Sequence, residues 1–141
     1  MTLPLEKALY TAHTHTVGGR HEGHAKSDDG QLEVDFSTPG SGKPGTNPEQ
    51  MFAAGWSACF IGALGFAAKS LKVQLPKDTS VDAAVTLGTT SEGQYQLSAK
   101  LTVNLPGIDE ATKQKMVEIA HQTCPYSRAT RGDIEVEVAA A

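Results

Sequence analysis

From Met51 to Ala68 the only polar side chain is Ser57, whereas on either side of this run polar and apolar residues alternate or recur at helical spacing. The run reads as one long helix. Asn47 fits its N-cap, Pro48 the first helical position and Glu49 the first turn, where negative charge meets the positive end of the helix. Gln50, three residues after Asn47, completes the spacing of a capping box. By length the run approaches a membrane span. It is, however, rich in Ala and Gly, and it stands alone in a chain of mean hydropathy −0.28. Ala54, Ala58 and Gly62 also lie four apart, a stripe that admits another backbone. These features predict a buried central helix and no membrane partner.

Before the helix, residues 9–36 predict a three-stranded meander: LYTAHTHTV, a turn at Gly18–Gly19, RHEGHAKS, a turn at 28–30, then QLEVDF. STPGSGKPG, residues 37–45, is a loop. After the helix, SVDAAVTLG and YQLSAKLTVNL predict a hairpin whose loop contains Gly93. Asp109 or its neighbour caps a second helix over about 110–124, with Met116, Ile119, Ala120 and Cys124 as its apolar stripe. Pro125 ends it, because the residue before proline disfavours helical geometry. DIEVEV then alternates as a last strand. The order βββ-α-ββ-α-β is an α+β plan of antiparallel sheets around a central helix.

The 141 residues predict a single domain, 1–141, with no linker or internal repeat. A net charge of −4 with scattered Lys and Arg argues against a nucleic-acid partner. The start, MTLPLEKALYT, has an early Glu6 and no apolar h-region, so a cytoplasmic location is the expectation. Two cysteines, Cys59 and Cys124, are too few for a disulfide framework, and packing alone can account for both.

If either thiol does chemistry, its setting constrains how. Cys59 lies far beyond the helix start, out of reach of its own helix dipole. An ordinary thiol has a pKa of about 8.5, and apolar burial raises it. Lowering it by about two units takes about 2.7 kcal/mol, which only a close, fixed cation supplies. Arg20, just past the Gly18–Gly19 turn, is the most suggestive cation; its alternative is a solvated hairpin charge. Cys124, at a helix C-terminus, is a poor resting thiolate but suits a neutral thiol that attacks an oxidised partner. His13, His15, His21 and His24 resemble no familiar ligand spacing, so no metal is expected. No G-x-S-x-G, G-x-G-x-x-G or Walker pattern occurs.

LEKALYTA, GGR at 18–20, TNPEQMFAAGWSACFIGAL at 46–64 and AHQTCPYSRATRGDIEV near the end together resemble the organic hydroperoxide resistance family of the OsmC-like superfamily. Met51 and Trp56 stand where that family usually has Leu and Tyr. The resemblance implies an OsmC-like fold, an intertwined homodimer and a thiol peroxidase that reduces organic hydroperoxides. It implies Cys59 as peroxidatic thiol, Cys124 as resolving thiol, and Arg20 with Glu49 as activating charges. It further implies re-reduction by a lipoylated protein or dihydrolipoamide, with no metal, flavin or haem as cofactor. Phe52, Trp56, Phe60 and Phe66 would then suit a substrate with an apolar tail. The competing expectation is an OsmC-like carrier of an apolar ligand with non-catalytic thiols.

Overall fold

The computed structural model describes residues 2–141, in two compact units that divide after Pro48. The first holds β1 (Thr14–Val17), a single helical turn α1 (Gly19–Glu22), β2 (His24–Ser27) and β3 (Glu33–Asp35). The three strands pair antiparallel in the order β1-β2-β3. The meander is therefore present but its first two strands are shorter than the alternation predicted. Gly18 and Gly19 both adopt left-handed φ, 77° and 73°. Two such residues in succession open a helical turn in place of a two-residue hairpin, so Arg20 and His21 sit in α1 and not on a strand. A side chain at Gly18 would meet the Gly23 Cα at 2.9 Å, which fixes the turn tightly.

Across β2 and β3, His24 lies opposite Asp35 and Lys26 opposite Glu33, all on one face. His24 Nδ1 lies 2.7 Å from Asp35 Oδ1, and Nε2 lies 3.0 Å from Glu33 Oε2. Two carboxylates on one imidazole favour the doubly protonated ring, and its pKa is raised, chiefly by the hydrogen bond to Asp35. Beyond β3 the loop folds back: the Ser37 N–H donates to the Thr46 carbonyl, and the Thr46 N–H to the Asp35 carbonyl.

The second unit begins with α2 (Pro48–Ser70), which starts at the proline as its sequence predicts. Trp56, Phe60, Ala63, Leu64, Ala67 and Ala68 form its buried face, at the i, i+4, i+7, i+8 spacing of a helix. They share one core with Ala99, Leu101, Val103 and Leu105, and with Met116, Val117, Ala120 and Cys124. The helix is not covered on every side. Ala54, Ala58, Gly62 and Phe66 remain exposed, so the predicted small-residue stripe is an open face. By length and composition α2 could cross a membrane; its packing is that of a core helix with one face open.

The sheet beside it is β4 (Ser80–Thr89), β5 (Tyr95–Asn104) and β6 (Glu135–Ala140), in the order β4-β5-β6. The β4–β5 hairpin closes through Gly93, φ 79°, whose N–H donates to the Thr90 carbonyl. One inner face runs across all three strands: Val81, Leu101 and Val138 belong to it, and Leu101 pairs with both Ala83 and Val138. β5 and β6 are parallel, unlike β1–β2, β2–β3 and β4–β5, because the chain between them crosses over through α3 (Glu110–Thr123) and α4 (Pro125–Thr130). Asp109 caps α3, its carboxylate accepting from the Thr112 N–H at 3.1 Å. The short α4 was not predicted.

The His24 clamp fixes the sign of one pH dependence. With a folded pKa above the ordinary 6.5, its contribution is fully present below that value and is lost as pH rises through the folded pKa. Amide exchange at β2 and β3 should therefore accelerate, relative to intrinsic rates, above that transition. In His24→Gln the same amides should show no such step; a step of equal size in the variant would detach it from His24.

Candidate functional site

The site grows from a constraint at Cys124. Pro125 bars helical geometry in the residue before it, and Cys124 is extended, with φ −62° and ψ 121°. Its N–H donates to the Ala120 carbonyl and closes α3, while its carbonyl accepts from the Arg128 N–H and opens α4. Proline is tolerated at the first position of the new helix, where no amide donor is needed. The backbone of Cys124 is thus held from both sides. Its side chain is fully buried and turned toward α2.

Cys59 lies opposite, half-buried on α2, and the two sulfurs are 3.4 Å apart with both thiols free. A disulfide bond is about 2.0 Å long, so modest side-chain movement would join them. Burial pushes the Cys59 thiol above its ordinary value, and the neighbouring Cys124 thiol adds to the rise. The backbone N–H of Tyr126, in the first turn of α4, acts in the opposite direction.

Aromatic side chains of α2 and α4 pack on one another. Phe52 stacks on Trp56, with ring centroids 5.4 Å apart, and the Tyr126 ring lies 5.8 Å from Phe52. Gly55 leaves room for this packing, since a Cβ there would come within 3.1 Å of the Tyr126 hydroxyl. Beneath it, the Trp56 indole N–H donates to Ser127 Oγ at 3.1 Å, and both residues are completely buried.

The predicted site residues divide accordingly. Cys59 and Cys124 come together, and Phe52 stacks on Trp56. Phe60, like Trp56, is fully buried in the core, and Phe66 is exposed on α2. Glu49 lies in the first turn of α2, ten residues from Cys59, about 15 Å along the axis. Arg20 belongs to the first unit, in α1. Tyr126, Ser127 and Gly55 were not singled out from the sequence. Among the described residues no group of three or more His, Cys, Asp or Glu side chains could hold a metal. His24 is engaged by its two carboxylates, and His21 Nδ1 lies 2.8 Å from the Thr38 hydroxyl.

His121, one turn before Cys124, is also new. Its Nδ1 is buried and, among the described residues, has no hydrogen-bond partner. Burial lowers its pKa, and the Arg131 guanidinium adds to the effect while donating to the His121 carbonyl.

A family model described as OsmC-like protein matches residues 40–139. The organic hydroperoxide resistance protein of Xanthomonas axonopodis pv. citri (strain 306) is 49% identical over 135 residues, 93% of this chain and 94% of that protein. The crystal structure of the organic hydroperoxide resistance protein OhrB of Bacillus subtilis superposes with a TM-score of 0.88 at 41% identity, covering 95% of this chain and all of that one. An organic hydroperoxide resistance protein from Elizabethkingia anophelis, crystallised with thiocyanate bound, matches with a TM-score of 0.86 at 44% identity, over 96% of this chain and 98% of that one.

His121 supplies a test of the site's burial. Its folded pKa is depressed, so its neutral form contributes stability that is present above 6.5 and lost as pH falls toward the folded value. Urea midpoints compared at about pH 7.5 and about pH 5 should fall on acidification, and less so in His121→Gln. Equal losses in both proteins would mean that the imidazole is not buried neutral.

Proposed function

Because the chain belongs to the organic hydroperoxide resistance family of the OsmC-like superfamily, we propose that it acts in organic hydroperoxide defence as a thiol peroxidase with Cys59 as its nucleophile. The observation that carries this reading is the 3.4 Å approach of the two thiols, against packing that is otherwise apolar and aromatic. The Cys59 thiolate attacks one oxygen of the hydroperoxide. The O–O bond breaks, the alkoxide leaves with a proton as an alcohol, and Cys59 becomes a sulfenic acid. The Cys124 thiolate then attacks that sulfur and hydroxide leaves as water, giving the Cys59–Cys124 disulfide. A dithiol restores both thiols by exchange, becoming a disulfide itself. A lipoylated protein or dihydrolipoamide is the proposed donor, on the family resemblance. Phe52 and Tyr126 supply apolar surface for the organic tail of the substrate, with the fully buried Trp56 packed behind Phe52.

Burial works against the thiolate, so this chemistry needs a cation. Arg20 is the proposed source, held by a bidentate pair with Glu49. On one straight helix Glu49 is too far along the axis to share a guanidinium with Cys59. A homodimer, packed antiparallel along the open stripe of Ala54, Ala58 and Gly62, would bring Glu49 of the partner subunit toward Cys59. The exposed apolar side chains of Leu3, Leu5, Leu9 and Tyr10 also favour assembly. The cytoplasm, with its reducing thiol pools, is the proposed location.

Free thiols counted before and after one equivalent of an organic hydroperoxide test the reading. A peroxidase loses both thiols rapidly and forms the alcohol; a carrier keeps both. Cys59→Ser should abolish turnover, and Cys124→Ser should stop at a Cys59 sulfenic acid that excess substrate over-oxidises. Arg20→Ala should shift the pH profile of Cys59 alkylation upward. Mass spectrometry that finds Cys59 unmodified in Cys124→Ser after peroxide treatment would sink the role assigned to it.

A further inference from the structure

The thiol contact has a neighbour that spans the same two elements. Trp56 precedes Cys59 by three residues on α2, and Ser127 follows Cys124 by three residues in α4. Each partner of the buried Trp56–Ser127 hydrogen bond therefore stands about one helical turn from one of the sulfurs. We propose that this bond is the positioning device of the dithiol, setting the distance at which Cys124 reaches Cys59 and thereby whether oxidised Cys59 is captured as a disulfide. The proposal rests on the peroxidase reading for its consequence in turnover, but not for its effect on the dithiol itself.

Three features support it. A six-residue helix has no stability of its own, so the placement of α4 depends on what it touches. Its contacts with α2 include Ser127 on Trp56, and Tyr126 over Gly55 and against Phe52. Of these, only the hydrogen bond is directional. An indole N–H buried among apolar side chains needs an acceptor, and Ser127 Oγ lies at 3.1 Å from it. Phe52, stacked on the indole, holds the ring plane from the other side. Rotation or withdrawal of α4 would carry the Tyr126 amide away from Cys59 and would pull on Cys124, which its first residue adjoins. In such a geometry a misplacement of about 1 Å costs about a hundredfold in rate.

Trp56 and Ser127 are thus positioning residues, whose hydrogen bond involves neither sulfur. Trp56→Phe and Ser127→Ala each remove the bond, the first by losing the donor and the second the acceptor. The first measurement is the equilibrium of the Cys59–Cys124 dithiol with its disulfide in a buffer of reduced and oxidised dithiothreitol. Each variant should favour the dithiol about tenfold more than the parent, a rise of about 30 mV in potential for this two-electron couple. The double variant should be no worse than either single, because one bond is lost in all three. The second measurement is the share of Cys59 sulfinic acid after excess organic hydroperoxide, which should rise severalfold, while sulfenic acid formation by Ser127→Ala in a Cys124→Ser background stays within about twofold. Parental equilibrium constants in both single variants would overturn the proposal, as would strictly additive effects in the double. If the parent itself leaves hydroperoxide intact, the peroxidase reading fails, and the dithiothreitol equilibrium still decides the role of the bond. Should Ser127→Ala fail to fold, Trp56→Phe, which keeps an aromatic ring in the core, decides alone.

Discussion

Burial of one face of α2 organises the second unit. Trp56, Phe60, Leu64 and the alanines between them meet the inner face of β5 and the apolar stripe of α3 in a single core. Each large side chain so buried contributes about 1.5–3 kcal/mol, and small residues let the neighbouring elements come close. Without that packing neither α3 nor α4 would have a surface to lie on, and Cys124 would have no fixed position relative to Cys59. The helix carries Cys59, the proposed nucleophile, and is also the ground on which the second thiol is mounted.

That arrangement sets two requirements against each other. A shielded, apolar setting suits an organic substrate and keeps the sulfurs in register, yet the same shielding holds the Cys59 proton in place. Each unit of pKa is worth about 1.36 kcal/mol, so the opposing donor, a single backbone amide from Tyr126, is a small force against burial. A full guanidinium is of the right size. The proposed dimer meets this requirement without loosening the core, because charge enters from outside the helix that bears the thiol.

Elements with a sustained period were legible in the sequence. The long apolar run, the Asp109 cap and the alternating β4–β5 hairpin all appear where pattern and cap chemistry predicted them. Misreadings cluster at Gly and Pro, whose signals have two meanings. Gly18–Gly19 was read as a hairpin turn and opens α1; Pro125 was read as a stop and is also a start. The parallel seat of β6 follows from a crossover whose second helix was unseen. At the site, both cysteines were legible by family pattern, but Trp56 and Ser127 stand 71 positions apart and nothing in either local context links them. Apolar character alone could not divide Phe52, half-buried against Trp56, from Phe60, in the core, or Phe66, on the open face. That division depends on rotation about the helix axis and on which sides receive a neighbour.

The parallel seating of β6 has a consequence for the order in which the molecule is made. The β4–β5 hairpin joins adjacent segments, whereas β6 and the thiol contact must each close a long stretch of chain, at an entropic cost that local pairings avoid. Synthesis proceeds from the N-terminus, and the two cysteines are 65 positions apart. At about 5–20 residues per second, a ribosome needs roughly 3–13 s to add those 65 residues. For that interval a growing chain carries Cys59 with neither Cys124 nor the Tyr126 amide yet made. The sulfur that depends most on its surroundings is therefore translated well before them, and a chain oxidised in that window has no partner thiol within itself to recover with.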